Sequence, residues 1–359
     1  SLPSSSHTLL ASLRAVFSGR MVSDPAEMAP WLRDYRQRWG GPALAVVQPD
    51  STADVAAVVR WCVEHDAVIV PQGGNTGLTG ASVPLADPRA TPRPEARPAS
   101  TDKAPSDDLD PSQARTTGGA DVQPRPVILL SLSRMQQVRS VDALASTMVV
   151  EAGCTLQGAQ EAAAAHGRLF PLSLASEGSC TIGGNLATNA GGVQVLRYGN
   201  MRELCLGLEV VTADGQVWHG LNRLRKNNTG YDLRDLFIGA EGTLGIITEV
   251  TLRLHPLPEA VSAAVVNFPS AEQAVNVVIQ SIQLGVPLAR CEFLDPPAIR
   301  AINAYSKMDL SEGYTLFFEF HGSPAGVAEQ VELVQQLAAD EGGTDFAWAE
   351  KPEERTRLW

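Results

Sequence analysis

Three glycine-rich stretches carry the residue types in this 359-residue chain that are best suited to binding chemistry. The first runs from Pro71 to Gly80, the second from Ser176 to Gly192 and the third from Gly239 to Ile247. Glycine permits positive φ angles and lets backbone N–H groups approach an anion closely, while neighbouring Asn and Thr side chains add hydrogen bonds. Such loops can hold a diphosphate without a cationic side chain.

Each stretch adjoins a segment with a strand-like pattern, and three such stretches together predict a large nucleotide cofactor, although one alone could be an ordinary loop. The first stretch differs in glycine spacing from a dinucleotide-binding fingerprint, and no helix pattern opens at Gly77. It is not a P-loop either, because no Gly-Lys-Ser/Thr sequence follows it. The second stretch is small and polar, which suits a surface lying against a flat ring rich in heteroatoms.

The elements that must position these loops show alternating strand and helix patterns. Strands are predicted at 44–47, 67–70, 127–130, 148–153, 208–212, 216–219, 245–254, 260–268, 290–294 and 314–320. Helices are predicted at 51–65, 156–166, 271–283 and 327–339. An Asp-Gly turn at 214–215 marks a hairpin.

The domain organisation follows from changes in composition along the chain. We expect an N-terminal helical segment at 1–33, a cofactor-binding domain at 34–255 and a further domain at 256–359. Residues 86–126 are rich in Pro, Ala, Asp and Ser and poor in large apolar residues, which predicts a disordered insertion, with a docking loop as the alternative. The start of the chain is either a packed helix or the remnant of a transit peptide, because Arg14 and Arg20 lie there without acids.

Composition excludes several classes of protein. The net charge is −12, the sequence pI is about 5.0 and no basic stripe occurs, which argues against duplex nucleic acid as a partner. No apolar run approaches the roughly 20 residues of a membrane-spanning helix. The five cysteines are scattered, so neither a disulfide framework nor a cysteine-bound metal is predicted, and a reducing compartment is expected.

The stretches 71–84, 170–200 and 226–248 resemble the FAD-binding domain shared by vanillyl-alcohol oxidase and p-cresol methylhydroxylase. Within them, residues 75–80 (Asn-Thr-Gly-Leu-Thr-Gly) and 226–233 (Lys-Asn-Asn-Thr-Gly-Tyr-Asp-Leu) are most similar to D-2-hydroxyglutarate dehydrogenases, and flavin-type D-lactate dehydrogenases are similar too. The resemblance implies an α+β fold. A two-subdomain FAD-binding domain of the p-cresol methylhydroxylase type would precede an incomplete α+β substrate domain with an antiparallel sheet.

The resemblance also implies a set of FAD contacts. The first stretch would hold the diphosphate, the second would run along the flavin and ribityl chain, and the third would complete the adenine and flavin side. The implied residues are Pro71, Gln72, Gly73, Gly74, Asn75, Thr76, Gly77, Leu78, Gly80, Ser82, Pro171, Leu172, Glu177, Gly178, Ser179, Cys180, Ile182, Gly183, Gly184, Asn185, Ala187, Thr188, Asn189, Gly192, Tyr198, Gly199, Glu241, Gly242, Gly245, Ile246 and Ile247. Because residues 72–80 contain no His, the FAD is expected to be noncovalent.

Other family residues have no assigned counterpart in this chain. The metal-binding histidines, the catalytic Glu-His and the substrate arginine of the family are expected beyond Trp359, so no catalytic residue and no metal ligand is assigned. A divalent metal, zinc, is expected only in a complete chain, and this chain alone is expected to be inactive. Asn228 and Tyr231 are candidates for the substrate side. His255 and His321 are interpreted as histidines at strand ends, and Arg290 and His321 as residues without a paired partner.

The implied reaction is FAD-dependent oxidation of a D-2-hydroxy acid, with D-2-hydroxyglutarate as the first choice, to the 2-oxo acid by hydride transfer to flavin N5. A flavin-type D-lactate or glycolate dehydrogenase and a non-catalytic FAD-binding protein are the alternatives. The implied partners are the small hydroxy acid and an electron-transfer flavoprotein or quinone-linked acceptor, with a homodimer as one option. The expected compartment is the cytoplasm, or the mitochondrial matrix if the source is eukaryotic.

Overall fold

The computed structural model describes residues 4–86 and 125–358, which fall into two compact units. The first unit combines Ser1–Met135 with Val211–Trp218, and the second combines Gln136–Val210 with His219–Trp359. The predicted insertion at 86–126 lies outside the described residues, except for its first residue and its last two.

A sheet with three parallel strands organises the first unit. Its elements are α1 (Ser4–Val16), β1 (Arg20–Val22), α2 (Pro25–Met28), β2 (Ala45–Gln48), α3 (Thr52–Glu64), β3 (Val68–Gln72) and β4 (Val127–Ser131). The strand order is β1-β2-β4-β3, in which β1 is antiparallel to β2 and the other pairs are parallel. All five residues of β4 are buried, as expected for a central parallel strand covered on both faces.

Helix α3 illustrates how the sequence determines the local structure and packing of the first unit. It begins after Ser51, whose side chain accepts the Asp54 N–H at 3.1 Å and so caps the helix. Its apolar residues recur every three or four positions and form one buried face: Val55, Val58, Val59 and Cys62. The indole N–H of Trp61 donates to the Ser12 hydroxyl at 3.0 Å, and Leu13 is fully buried, so α1 packs on α3.

A five-stranded sheet follows between residues 136 and 256. Its elements are β5 (Val138–Asp142), β6 (Thr147–Glu151), α4 (Leu156–Ala165), β7 (Arg168–Leu169), α5 (Ile182–Ala187), α6 (Val195–Tyr198), β8 (Cys205–Thr212), β9 (Val217–Gly220), α7 (Arg234–Phe237), β10 (Gly245–Arg253) and β11 (His255–Pro256). The strand order is β5-β6-β10-β8-β9, and β7 pairs separately with β11. The third glycine-rich stretch leads directly into β10.

The remaining residues form an antiparallel sheet with helices. The elements are β12 (Ala260–Phe268), α8 (Ala271–Gln283), β13 (Leu288–Leu294), α9 (Pro296–Ser306), β14 (Tyr314–Gly322), α10 (Pro324–Asp340), β15 (Thr344–Ala349) and α11 (Pro352–Leu358). The strand order is β13-β14-β12-β15, and every paired strand is antiparallel. This sheet, the mixed sheet of the first unit and the helices beside them confirm the predicted α+β class.

Strand β14 separates two environments because its side chains alternate between the sheet's faces. Phe318 and Phe320 point into a core that includes residues of α8 and α10. Phe317 packs on the opposite face with Ile299 of α9. Glu319 and His321 follow at two-residue spacing and therefore lie on the same face as Phe317, where both are nevertheless buried.

Several elements were not predicted from the sequence. They include β5, β15, α9 and the short helix α5, which lies inside the second glycine-rich stretch. Helix α9 had a readable signal, since the Asp295 carboxylate caps it by accepting the Ala298 N–H at 2.8 Å and Pro296 occupies its first position. Among the described helices, none combines the length and apolar character that a bilayer crossing requires.

Candidate cofactor-binding site

The first glycine-rich stretch is held by its own amide side chains. The side chain of Gln72, the last residue of β3, donates to the carbonyls of Trp31 and Ser82, both at 2.9 Å. Asn75, at φ +52°, donates to the Arg33 carbonyl at 2.7 Å and accepts the Ser82 hydroxyl at 2.9 Å. These amides therefore shape the loop, and the groups it offers to a ligand are mainly backbone atoms.

A buried carboxylate supports the same loop from the preceding segment. The Asp34 carboxylate accepts backbone N–H groups from Arg36 at 3.2 Å and from Arg38 and Trp39 at 2.7 Å. The hydrogen bond from Trp39 is the main reason that the pKa of Asp34 lies below its usual value of 3.8. The turn holds Trp39 against Gly80, where a Cβ would lie 2.5 Å from the indole. Gly80 is therefore required by packing.

The second stretch folds around a capped helix in the second unit. The Thr181 hydroxyl caps α5 by accepting the Gly184 N–H at 3.4 Å. The backbone N–H groups of Ile182 and Gly183 donate to the carbonyls of Cys154 at 2.9 Å and Ala152 at 2.8 Å. The start of α5 therefore packs against the turn that follows β6.

The second and third stretches meet through backbone hydrogen bonds. The Gly239 N–H donates to the Leu186 carbonyl and the Glu241 N–H donates to the Ala187 carbonyl, each at 2.9 Å. Glu241 has φ +52° because the chain turns sharply there before entering β10. The structure therefore brings together two of the three stretches that the sequence analysis identified. The first stretch belongs to the other compact unit.

Two glycines of the predicted FAD-binding set have few or no neighbours at their Cβ positions. A Cβ on Gly77 would meet no atom within 4 Å, and one on Gly184 would meet only the Thr181 hydroxyl, at 3.3 Å. Neither residue has a positive φ angle. In contrast, a Cβ on Gly183 would lie 2.7 Å from the Ala152 Cβ. Open space above Gly77 and Gly184 fits a ligand that approaches the backbone closely.

The buried side-chain amide of Asn185, beside Gly184, also fits a bound ligand. Asn185 is 4% exposed, and its Nδ2 has no hydrogen-bond partner among the described residues. A buried donor without a partner costs roughly 1–3 kcal/mol, so such groups are commonly completed by a ligand or water. The open glycine and the unpaired donor together fit a heteroatom-rich cofactor on this part of the chain.

The other predicted site residues fall into three groups, and the half-buried ones are Pro71, Gly73, Gly74, Thr76, Glu177, Ala187, Asn189, Tyr198, Gly199, Gly242 and Gly245. Those with buried side chains can offer a ligand only backbone atoms: Pro171, Leu172, Cys180, Ile182, Ile246 and Ile247. Those with exposed positions are Leu78, Gly178, Ser179, Thr188, Gly192 and Glu241. The substrate-side candidates Asn228 and Tyr231 are exposed as well, with Tyr231 at 93%. The assignment of these residues to a ligand stays a prediction.

The sequence analysis missed a buried polar cluster in the second unit. The interpretation of Arg290 and His321 as unpaired is wrong, because both contact Glu319: His321 Nε2 lies 2.7 Å from Glu319 Oε1, and Arg290 Nε lies 3.3 Å from it. The Tyr198 hydroxyl lies 2.8 Å from His321 Nδ1. The available signal was the two-residue spacing of Glu319 and His321 on one face of a strand.

A solved structure and two family models show what fold and which domains this chain has. Over 98% of this chain and 67% of the other, it aligns with p-cresol methylhydroxylase with substrate bound, with a TM-score of 0.70 and 16% identity. The family model of the FAD binding domain matches residues 43–88 and 112–220, and that of the C-terminal domain of FAD linked oxidases matches residues 257–359. The chain therefore has an FAD binding domain followed by the C-terminal domain of FAD linked oxidases, and it shares the fold of p-cresol methylhydroxylase, as the sequence predicted.

Two curated relatives indicate which kind of dehydrogenase this chain resembles. The chain is 37% identical to the probable mitochondrial D-lactate dehydrogenase of Danio rerio, across 89% of this chain and 56% of the relative. It is 35% identical to the mitochondrial D-2-hydroxyglutarate dehydrogenase of Bos taurus, across 93% of this chain and 55% of the relative. The chain thus spans little more than half the length of these relatives.

A pH-dependent loss of stability is expected from His255. Burial is the main cause that lowers the pKa of His255 from 6.5 to about 4, and the charge of Arg253 adds to it. The unfolded chain then takes up a proton at a higher pH than the folded protein. The free energy of unfolding should therefore fall as the pH drops from about 6.5 towards about 4. Denaturant unfolding across this window measures the effect.

The variant His255→Phe should flatten that pH dependence, because it keeps a ring beside Tyr198 and removes the titrating group. In the structure the two rings meet edge to face, with centroids 5.0 Å apart. His166→Phe is the control, since His166 is exposed. A pH dependence that survives unchanged in His255→Phe would show that another group causes it.

Proposed function

We propose that this protein binds FAD without a covalent link and oxidises a D-2-hydroxy acid to the 2-oxo acid, with D-2-hydroxyglutarate as the preferred substrate. The observation that carries the proposal is the open backbone at Gly184, beside the unpaired Asn185 donor, within the stretch that resembles the family's flavin loop. The match to D-2-hydroxyglutarate dehydrogenase supports the substrate class. A D-lactate substrate is the second candidate, supported by the Danio rerio relative.

The roles of this chain's residues follow from their geometry. The backbone around Gly77 would approach the diphosphate, and the backbone at Gly184 with the Asn185 amide would approach a cofactor carbonyl or ring nitrogen. Gln72 and Asn75 act indirectly, because their amides hold the first loop in shape. When bound, FAD supplies the hydride acceptor, and the protein supplies position and electrostatics. Asn228 and Tyr231 stay candidates for the substrate side.

Other parts of the proposal rest on the family resemblance alone. Among the described residues, no group of three His, Cys, Asp or Glu side chains could hold a metal ion. The zinc predicted for a complete chain, the electron-transfer flavoprotein or quinone-linked acceptor and the homodimer therefore remain predictions. So does the compartment, cytoplasm or mitochondrial matrix; two relatives named above are described as mitochondrial.

An anaerobic mixing experiment tests the proposed reaction. Protein expressed from its complete reading frame should purify yellow, with about one FAD per chain that acid releases. D-2-hydroxyglutarate should bleach the flavin absorbance faster than D-lactate, because a hydride from C2 reduces the ring, while the L enantiomers should leave it unchanged. The observed rates and the 2-oxo product identify the substrate.

The possible outcomes separate the candidates. Faster bleaching by D-lactate would replace the first substrate with the second. Tightly bound FAD that no hydroxy acid bleaches would favour the non-catalytic alternative. Protein that takes up no FAD under any reconstitution condition would contradict the whole proposal, and flavin that stays with acid-precipitated protein would contradict its noncovalent part.

A further inference from the structure

Residues 190–201 form a short excursion of the chain that begins within the last residues of the second glycine-rich stretch. It leaves the stretch at Ala190 and returns at Met201, whose N–H donates to the Ala190 carbonyl at 2.8 Å. Between these points lie Gly192 and the single turn of α6, which ends at Tyr198. Both Gly192 and Tyr198 belong to the predicted FAD-binding set, so the position of this excursion matters for the cofactor.

The antiparallel sheet holds the tip of the excursion through three polar contacts. The Arg197 guanidinium donates to the Pro287 carbonyl at 2.7 Å, just before β13. The Gln194 amide donates to the Glu319 carboxylate at 3.4 Å. The Tyr198 hydroxyl contacts His321 Nδ1 at 2.8 Å. The contacts come from residues 287–321, a region that the glycine-rich stretches do not include.

The proton positions in this cluster follow from the charge of Glu319. Burial alone would raise the pKa of Glu319, but the hydrogen bond from His321 and the charge of Arg290 outweigh it and lower the pKa. An ionised carboxylate only accepts hydrogen bonds, so His321 Nε2 must carry the proton that it shares with Glu319. The other ring nitrogen of His321, Nδ1, pairs with the Tyr198 hydroxyl and accepts its proton when that nitrogen carries no hydrogen of its own.

Tyr198 is well suited to donate that proton. Burial is the main cause that raises the pKa of the Tyr198 phenol, so the hydroxyl keeps its proton. Its ring is surrounded on several sides: the Arg197 guanidinium lies 5.7 Å from the centroid, and the His255 and His321 ring centroids lie at 5.0 and 5.9 Å. Glu319 therefore orients His321, and His321 orients Tyr198.

We propose that His321, oriented by Glu319, is a positioning residue that holds Tyr198 and so fixes the end of the second glycine-rich stretch for FAD. The inference rests on the proposed FAD binding and goes beyond it, because it makes cofactor affinity depend on the antiparallel sheet. None of these side chains needs to touch a substrate for this role. Removal of one link should loosen residues 190–201 without opening the core formed by Phe318 and Phe320.

A double-mutant cycle on FAD affinity tests this inference. Tyr198→Phe and His321→Leu should each weaken FAD binding by about 3-fold to 10-fold, the loss expected for one net hydrogen bond. The double variant should bind FAD no more weakly than the weaker single variant, because both substitutions break the same link. Affinity is measured by titration of flavin fluorescence on protein freed of FAD, and denaturant unfolding of the FAD-free protein is measured separately.

A control variant and the possible outcomes distinguish a failure of this inference from a failure of the proposed function. Tyr305→Phe removes a phenol hydroxyl from a side chain that is 92% exposed and should leave FAD affinity unchanged. If the wild type binds no FAD, the proposed function fails. If the wild type binds FAD and Tyr198→Phe binds it equally well, the positioning role is overturned, even where its unfolding free energy drops. If the fold-losses of FAD affinity in the two single variants multiply in the double variant, the positioning role is also overturned. If His321→Leu does not fold, the conservative variant Tyr198→Phe still tests the inference.

Discussion

Gly184→Val is expected to weaken FAD binding by roughly 100-fold or more, equivalent to about 2.7 kcal/mol, while the FAD-free protein stays as stable as the wild type. The branched side chain would occupy the open space above the backbone at the third position of α5. Inside the protein its Cβ would meet only the Thr181 hydroxyl, at 3.3 Å. Valine also has a higher helix propensity than glycine, so the helix itself should not weaken.

The chain offers a closely matched control for this variant. Gly326 is also three residues after a capping hydroxyl, that of Ser323, and its Cβ would lie 3.2 Å from that oxygen, compared with 3.3 Å at Gly184. Gly326→Val should therefore leave both FAD affinity and stability within about twofold and a few tenths of a kcal/mol of the wild type. Flavin fluorescence titration and denaturant unfolding give the two readouts. Equal FAD affinities in Gly184→Val and the wild type would mean that the cofactor does not approach this helix.

The comparison of sequence with structure shows where local pattern is sufficient. The Ser51 cap and the apolar spacing of α3 predicted that helix because both signals act within a few residues. Strand β12 at 260–268 and helix α8 at 271–283 were predicted with the bounds that the structure has. In such segments the period of the apolar residues matches the face that the fold buries.

Long-range partners explain what the sequence could not supply. The spacing of Glu319 and His321 places them on one face of a strand, but the contact of His321 with Tyr198 joins residues 123 positions apart. No periodicity within β14 identifies a partner from α6. The short helix α5 was missed for a related reason, since two glycines and an asparagine at its start have low helix propensity and only its tertiary contacts stabilise it.

Two adjacent glycines show most clearly what could not be predicted from the sequence. Gly183 and Gly184 are adjacent and identical in type, and the sequence analysis assigned both to the cofactor. In the structure the Cβ positions differ: one would meet the turn after β6, and the other would meet open space. The two residues should therefore respond to substitution in opposite ways.

Gly183→Ala should destabilise the FAD-free protein by about 3 kcal/mol, the upper part of the range for an overpacked site. The new Cβ would lie 2.7 Å from the Ala152 Cβ and 3.0 Å from the Ala152 carbonyl oxygen. No side-chain rotation relieves this contact, because a Cβ position is fixed by its backbone. The backbone is itself held by the Gly183 N–H, which donates to the Ala152 carbonyl at 2.8 Å.

A second substitution tests that cause directly. Ala152→Gly removes one of the two clashing methyl groups, so the double variant should lose at least about 1 kcal/mol less than the sum of the two single losses. The rescue should be partial, because the Ala152 carbonyl oxygen remains close. Gly158→Ala is the matched control: it is also the third residue after a capping hydroxyl, that of Thr155, with a Cβ at 3.1 Å from it. That variant should be neutral or slightly stabilising, since alanine favours the helix. Losses that simply add in the double variant would place the strain of Gly183→Ala somewhere other than the turn after β6, and the structural assignment of Gly183 would then be wrong.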